Sequence, residues 1–369
     1  MRLMLRLSLT ILLFVAAAAG AQTPAPPSAT PAPSATPALS PAEKTGVDAL
    51  APADLQQAIR LIRERYVNPT ALTETELNRA TLAGLLARLG RGVILLPARS
   101  APTPTPAPFY HEILDGHIGY LRPGALSRPQ LQELDTTLRA FAGKKVDAII
   151  LDLRAGGETR DYAAAADFAN RFVAKDVPLF SLHGRATEKP RAFVSNQKPA
   201  YSGLMVVLVD HETAGASEVL AGVLRHYDKA IAIGERTAGR AVDYEDLPLP
   251  GGQILRVATA EAILPEQGSH FQEGLGPDVP VTLSEKEKRE IFQESLTKGM
   301  APFVFEVDRP HLNEAALLSG TNPEIDSTQA AQRRRARGEK EAPHDAVLQR
   351  AVDLVTSIGV YEKQPGRSP

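Results

Sequence analysis

Three short segments of this chain carry residue types that could act on an acyl group. The first is Thr213-Ala214-Gly215-Ala216-Ser217-Glu218, which follows the apolar run Val206-Val207-Leu208-Val209. The second is Gly234-Glu235-Arg236-Thr237-Ala238-Gly239-Arg240, and the third is Asp152-Leu153-Arg154-Ala155-Gly156-Gly157. Acyl transfer needs an oxygen or sulfur nucleophile and a partner that takes its proton. Ser217 is the hydroxyl on offer, with Glu218 and His226 as candidate relays. Gly215 has no side chain to acylate. Arg240 keeps its proton, with a pKa above roughly 12, and so cannot act as a base. Its planar fork can pair bidentately with a carboxylate, either an acidic side chain or a peptide C-terminus. The alternative is an internal ion pair with Glu218 or Glu235. The glycine pair at 156 and 157 reads, from its residues alone, as a tight strand-to-helix turn. His270 is a lone histidine in a predicted loop and reads as a surface residue. The eight histidines are scattered and there is no cysteine, so neither a thiolate site nor a His-Glu-x-x-His metal site is expected. No cofactor is implied.

These segments need a frame, and the apolar pattern supplies one. Residues 146–154 read as a buried strand, preceded by a helix over about 128–142. A helix near 162–173 and strands near 178–182, 204–209 and 253–259 continue the alternation of an α/β protein. Upstream, Leu55, Ile59, Ile62 and Tyr66 recur at helical spacing before Asn68-Pro69, and Leu77, Leu82, Leu85, Leu86 and Leu89 form a second stripe. Downstream, Val347, Ala351, Leu354 and Val355 predict an amphipathic helix over 345–358. The basic run Arg333-Arg334-Arg335-Ala336-Arg337 reads either as solvated surface or as a contact for a partner or anionic lipid.

The ends of the chain bound its setting. Arg2 and Arg6, an apolar run over 7–19 and Ala19-Gly20-Ala21 form the pattern of a secretory leader cleaved near Gln22. Export follows, to a periplasmic or extracellular location as a soluble protein with no integral span after cleavage. A Pro/Ala-rich stretch over 22–53 predicts a disordered linker, and a second over 97–108 marks another boundary. The formal net charge of −2 argues against nucleic acid as a partner.

The order of these segments resembles the carboxy-terminal-processing (tail-specific) serine proteases, peptidase family S41. In that family the serine nucleophile stands where this chain has Gly215, the lysine base where it has Arg240, and an orienting glutamine where it has Tyr244. Asp152-Leu153-Arg154 with Gly156-Gly157 is similar to the family's oxyanion loop, about two residues shorter, and the resemblance implies that this glycine pair and Ala216 present backbone N–H groups to a developing oxyanion. Gly116-His117-Ile118-Gly119-Tyr120 and Gly274-Leu275-Gly276-Pro277-Asp278 match its opening strand and closing turn. The resemblance implies a crotonase/ClpP-like α/β core over 109–285, a helical segment over 54–96, and a C-terminal segment over 286–369 with a closing helix. Residues 90–108 are too few for the family's PDZ domain. It also implies a chain without an intact catalytic pair, hence a pseudoprotease. Its expected partners are an unstructured peptide, a protein C-terminus, or an active paralogue. An active endopeptidase using Ser217 is the alternative.

Overall fold

The computed structural model describes residues 40–98, 106–156, 158–185, 189–305 and 343–362. The expected leader over 1–21, residues 22–39, residues 99–105, Gly157 and the basic run at 333–337 lie outside the described residues. The chain divides into two units, residues 1–77 and 78–369.

The first unit contains α1 (Pro41–Asp48) and α2 (Pro52–Arg65). α1 forms inside the stretch expected to be linker, and the cause is local. Ser40 Oγ accepts the Glu43 N–H at 3.3 Å while Glu43 Oε2 accepts the Ser40 N–H at 2.9 Å. This reciprocal cap, with proline in the first turn, starts a helix that composition alone would not announce. α2 carries the first predicted stripe and stops short of Asn68-Pro69. α3 (Glu74–Leu89) carries the second.

In the second unit the strands are β1 (Val93–Leu96), β2 (Tyr110–Leu114), β3 (Ile118–Arg122), β4 (Ala148–Asp152), β5 (Glu158–Thr159), β6 (Pro178–His183), β7 (Arg191–Val194), β8 (Leu204–Val209), β9 (Ala214–Gly215), β10 (Ile231–Gly234), β11 (Val242–Pro248), β12 (Ile254–Leu264), β13 (Gly268–Ser269) and β14 (Val279–Pro280). The helices are α4 (Arg128–Gly143), α5 (Tyr162–Ala169), α6 (Ala216–His226), α7 (Glu285–Lys298), α8 (Ala301–Val304) and α9 (Ala346–Glu362).

The main sheet runs β14-β10-β8-β4-β3-β2, parallel throughout except for the β2–β3 hairpin. Its central strands read as unbroken apolar runs because helices cover both faces. Successive side chains still alternate. Ile149, Leu151, Val207 and Val209 join the core with α4, α5 and α6. Ile150, Val206 and Leu208 join the opposite core with Ile291, Phe303, Leu348 and Ala351 from α7, α8 and α9. The closing helix therefore forms part of one wall of the sandwich.

A second, antiparallel sheet runs β1-β12-β6-β7, with β11 and β13 also paired to β12. β1 occupies residues expected to close the N-terminal helical segment; Val93–Leu96 instead pairs with Ile254 to Val257. A third element, too short to be read from sequence, is the parallel pair β5–β9, which sets Thr159 against Gly215. The carboxyl ends of β4, β8 and β10 are neighbours in the main sheet, and the chemistry-bearing segments all leave from them. That is where α/β sheets build their sites.

Candidate active site

Gly215 ends β9 immediately before α6. Its φ of 59° and ψ of −126° suit glycine and penalise any residue with a Cβ. An added Cβ would also overlap the carbonyl oxygen of Thr159. β5 thus lies across the space into which a side chain at 215 would project. Gly215 and Ala216 are both buried, and Thr159 lies directly against Gly215.

Ser217, the alternative hydroxyl, is 1% exposed. Its Oγ lies 3.2 Å from Thr159 Oγ1, which also accepts the Ser217 N–H at 3.2 Å. Among the described residues no amine, imidazole or carboxylate is hydrogen-bonded to that hydroxyl. His226 sits at the far end of α6, roughly 14 Å away at about 1.5 Å per residue.

Glu218 is fully buried and committed elsewhere. Its Oε1 accepts from Thr237 Oγ1 at 2.5 Å and from the Gly239 N–H at 3.0 Å, and its Oε2 accepts the Arg240 N–H at 2.9 Å. Burial pushes the carboxyl above its ordinary range, and these donors pull it only part of the way back. Thr237 Oγ1 also accepts the Leu275 N–H at 2.7 Å. Asp278 accepts from Arg225 Nε at 2.8 Å and from the Ala232 N–H at 2.9 Å. The segments containing Glu218, Thr237 and Leu275 are therefore one hydrogen-bonded unit.

Arg240 meets Glu218 through its backbone only, and Glu235 is engaged by His211 Nδ1 at 3.0 Å. The expected internal pair is replaced by another: Arg240 Nε lies 3.8 Å from Glu158 Oε2. Arg160 and Arg256 also face Glu158, each at 3.7 Å. These are ion-pair distances beyond hydrogen-bond reach. Glu158 Oε1 and Arg240 Nε are both buried without a hydrogen-bond partner.

Residues 117–281 match the family model described as Peptidase family S41. This core belongs to peptidase family S41. The carboxyl-terminal-processing protease of Synechocystis sp. (strain ATCC 27184 / PCC 6803 / Kazusa) is 29% identical over 163 residues, covering 44% of this chain and 37% of the relative. Carboxy-terminal processing protease CtpB of Bacillus subtilis (strain 168) is 24% identical over 259 residues, covering 66% of this chain and 50% of the relative. The chain spans half or less of the length of these two relatives. A solved photosystem II D1 C-terminal processing protease aligns over 60% of this chain and 54% of its own, at 21% identity and a TM-score of 0.42.

Other motif residues of this S41 core are structural. Arg154 bonds Asp152 at 2.7 Å and Asp345 at 2.8 Å, and all three are buried. Tyr120 adds its phenol to Asp152 at 2.7 Å. Burial raises the Asp152 carboxyl, but the charge and hydrogen bonds of Arg154 outweigh it and hold the group below its usual value. Gly156 stands beside Ser217, whose Oγ an added Cβ would meet at 3.3 Å. Tyr244 is buried, donates its phenol to the Arg91 carbonyl at 2.7 Å, and lies against the Arg160 and Arg256 guanidiniums. His270 is half-buried rather than on the surface; burial lowers its pKa, and its Nε2 has no partner.

Three site residues escaped sequence reasoning. Glu158 and Thr159 follow a glycine turn with no periodicity to mark them. Lys288, 3% exposed, pairs with Glu212 at 2.5 Å and with Asp210, tying α7 to the loop after β8. Only the rarity of a buried lysine would flag it. Among the described residues no group of three or more His, Cys, Asp or Glu is placed to hold a metal.

Proposed function

We propose that this chain is a non-catalytic member of peptidase family S41, exported and retained for binding an unstructured peptide, a protein C-terminus or an active paralogue. The observation that carries this reading is Gly215 beneath Thr159. The position where the resemblance expects a nucleophile has no side chain and no room for one. Arg240 cannot accept a proton, and the Ser217 hydroxyl is buried against Thr159. Losing one member of a nucleophile–base unit costs on the order of 10⁶ in kcat, and here both are replaced. The leader pattern at 1–21 supports export, and among the described residues no helix is long and apolar enough to cross a membrane.

Hydrolysis of casein or an unstructured tail peptide by the purified chain tests the reading. Turnover should stay at the uncatalysed background. Turnover abolished by Ser217→Ala would establish an active peptidase and end the proposal. Amino-terminal sequencing of the protein recovered from cell fractions tests export; a chain in the cytoplasm that still begins at Met1 would remove that part.

A further inference from the structure

We propose that the surface pocket beside Arg240 is a carboxylate-binding site built from Arg91, Arg236 and Arg240. This deepens the binding role proposed above and rests on it. The pocket has a volume of about 400 Å³ and also presents His211 and Glu273. Much of its positive charge is not matched internally. Arg91 gives one N–H to the Gln272 carbonyl, and Arg236 gives one to the Gly274 carbonyl at 3.1 Å. A guanidinium has five donors, so each keeps a free edge. Among the described residues, neither of these two forms an ion pair with a carboxylate. Arg240 faces Glu158 only at 3.8 Å, with a buried Nε that bonds to nothing. His211 adds no free charge, because Glu235 and Glu285 flank both of its ring nitrogens.

The charge balance selects the ligand. Arg91, Arg236 and Arg240 line the pocket together with one carboxylate, Glu273, and Arg240 also faces Glu158, which does not line it; this leaves a small positive excess. A singly charged planar carboxylate matches that excess and the fork geometry of arginine. A phosphate dianion would overshoot it and would meet Glu273. The volume is at the small end for ligand pockets, enough for a short organic acid or for an aspartate or glutamate side chain on an extended peptide. Both sources present the same group.

Titration calorimetry on the full chain distinguishes them. The probes are an N-acetylated, C-amidated peptide bearing one glutamate, its glutamine counterpart, butyrate and inorganic phosphate. The glutamate peptide should bind at least about tenfold more tightly than the glutamine one, a difference of about 1.4 kcal/mol, and the binding should weaken with salt. Arg91→Gln and Arg236→Gln, both at exposed positions, should each weaken it about tenfold. Glu273→Gln should tighten it several-fold, a gain that misfolding does not produce. Butyrate as tight as the peptide supports the site with a free acid as its ligand; butyrate far weaker supports it with an acidic side chain. Equal binding of the two peptides, tighter binding of phosphate, or unchanged affinity in Arg236→Gln would overturn the assignment. Because the readout is binding, its failure leaves the non-catalytic reading standing, and peptide turnover would not by itself remove the pocket.

Discussion

At Gly215 a single methylene decides the chemistry. A side chain there meets two obstacles, the left-handed backbone and the Thr159 carbonyl. Gly215→Ser should therefore lower stability by about 2–4 kcal/mol, measured by urea unfolding. Gly215→Ser combined with Arg240→Lys should still hydrolyse no unstructured peptide. Gain of turnover would mean that residues 158–159 move aside, and the account of a closed site would fail. Glu218 is the complementary case, a buried carboxylate that three donors require. Glu218→Ala should cost about 3 kcal/mol by leaving those donors unpaired. Glu218→Gln should recover only part of it, because one amide oxygen cannot serve both sets of donors. That Gly215 has nothing to acylate and that Arg240 keeps its proton follow from residue chemistry alone. The partner of Arg240 does not, because Glu158 reaches it only through the β5–β9 pairing.

At the scale of elements, a buried ion cluster joins the main sheet to the closing helix. Arg154 on the loop after β4 holds Asp345, which caps α9 by accepting the Leu348 N–H at 3.0 Å. Arg154→Ala leaves two buried carboxylates without their cation and should cost about 3–5 kcal/mol. Chemical denaturation gives the size, and faster proteolysis within α9 would locate the damage. An unchanged unfolding midpoint would show the cluster to be dispensable. The existence of β4, β8 and α9 was readable from long apolar runs and helical spacing. β1 was not, because Val93-Ile94-Leu95-Leu96 is too short to show a period. It becomes a strand through its pairing with β12, more than a hundred residues away in sequence. α1 was missed for the opposite reason: its cap is a local signal hidden in a composition typical of linkers.

For the molecule as a whole, the charge network predicts how stability varies with pH. Hydrogen bonds donated by His211 to Glu235 and then to Glu285 raise its pKa above the usual value. The stability from that imidazolium is complete below about 6.5, its unfolded value, and fades as pH rises through the higher folded value. His211 is half exposed, so solvent screening keeps the effect to about 1 kcal/mol or less. Three carboxyls are shifted the other way. Burial raises Asp152 and Glu212, but Arg154 and Lys288 respectively outweigh it, and the Arg256 hydrogen bond lowers Asp246. Their contribution is present above about pH 4 and lost as pH falls. Glu218, raised by burial, opposes that slope: it favours the fold below about pH 4.5 and less so as it ionises. Urea midpoints measured against pH should peak on the weakly acidic side of neutrality. His211→Gln should flatten the decline between about pH 6.5 and 8; a superimposable profile would remove His211 from the account.

The sequence alone determined the alternation of strands and helices and the family resemblance, on which rests our proposal that Gly215 and Arg240 stand in place of a nucleophile and a base. Those are properties of residue types in chain order, and burial patterns write them into the sequence directly. Tertiary structure decided what filled the space. Thr159 covers Gly215, Glu158 faces Arg240, Lys288 clamps the loop after β8, and three arginines converge on one pocket. Each depends on backbone pairing or helix packing between segments far apart in the chain, where residue spacing carries no distance information.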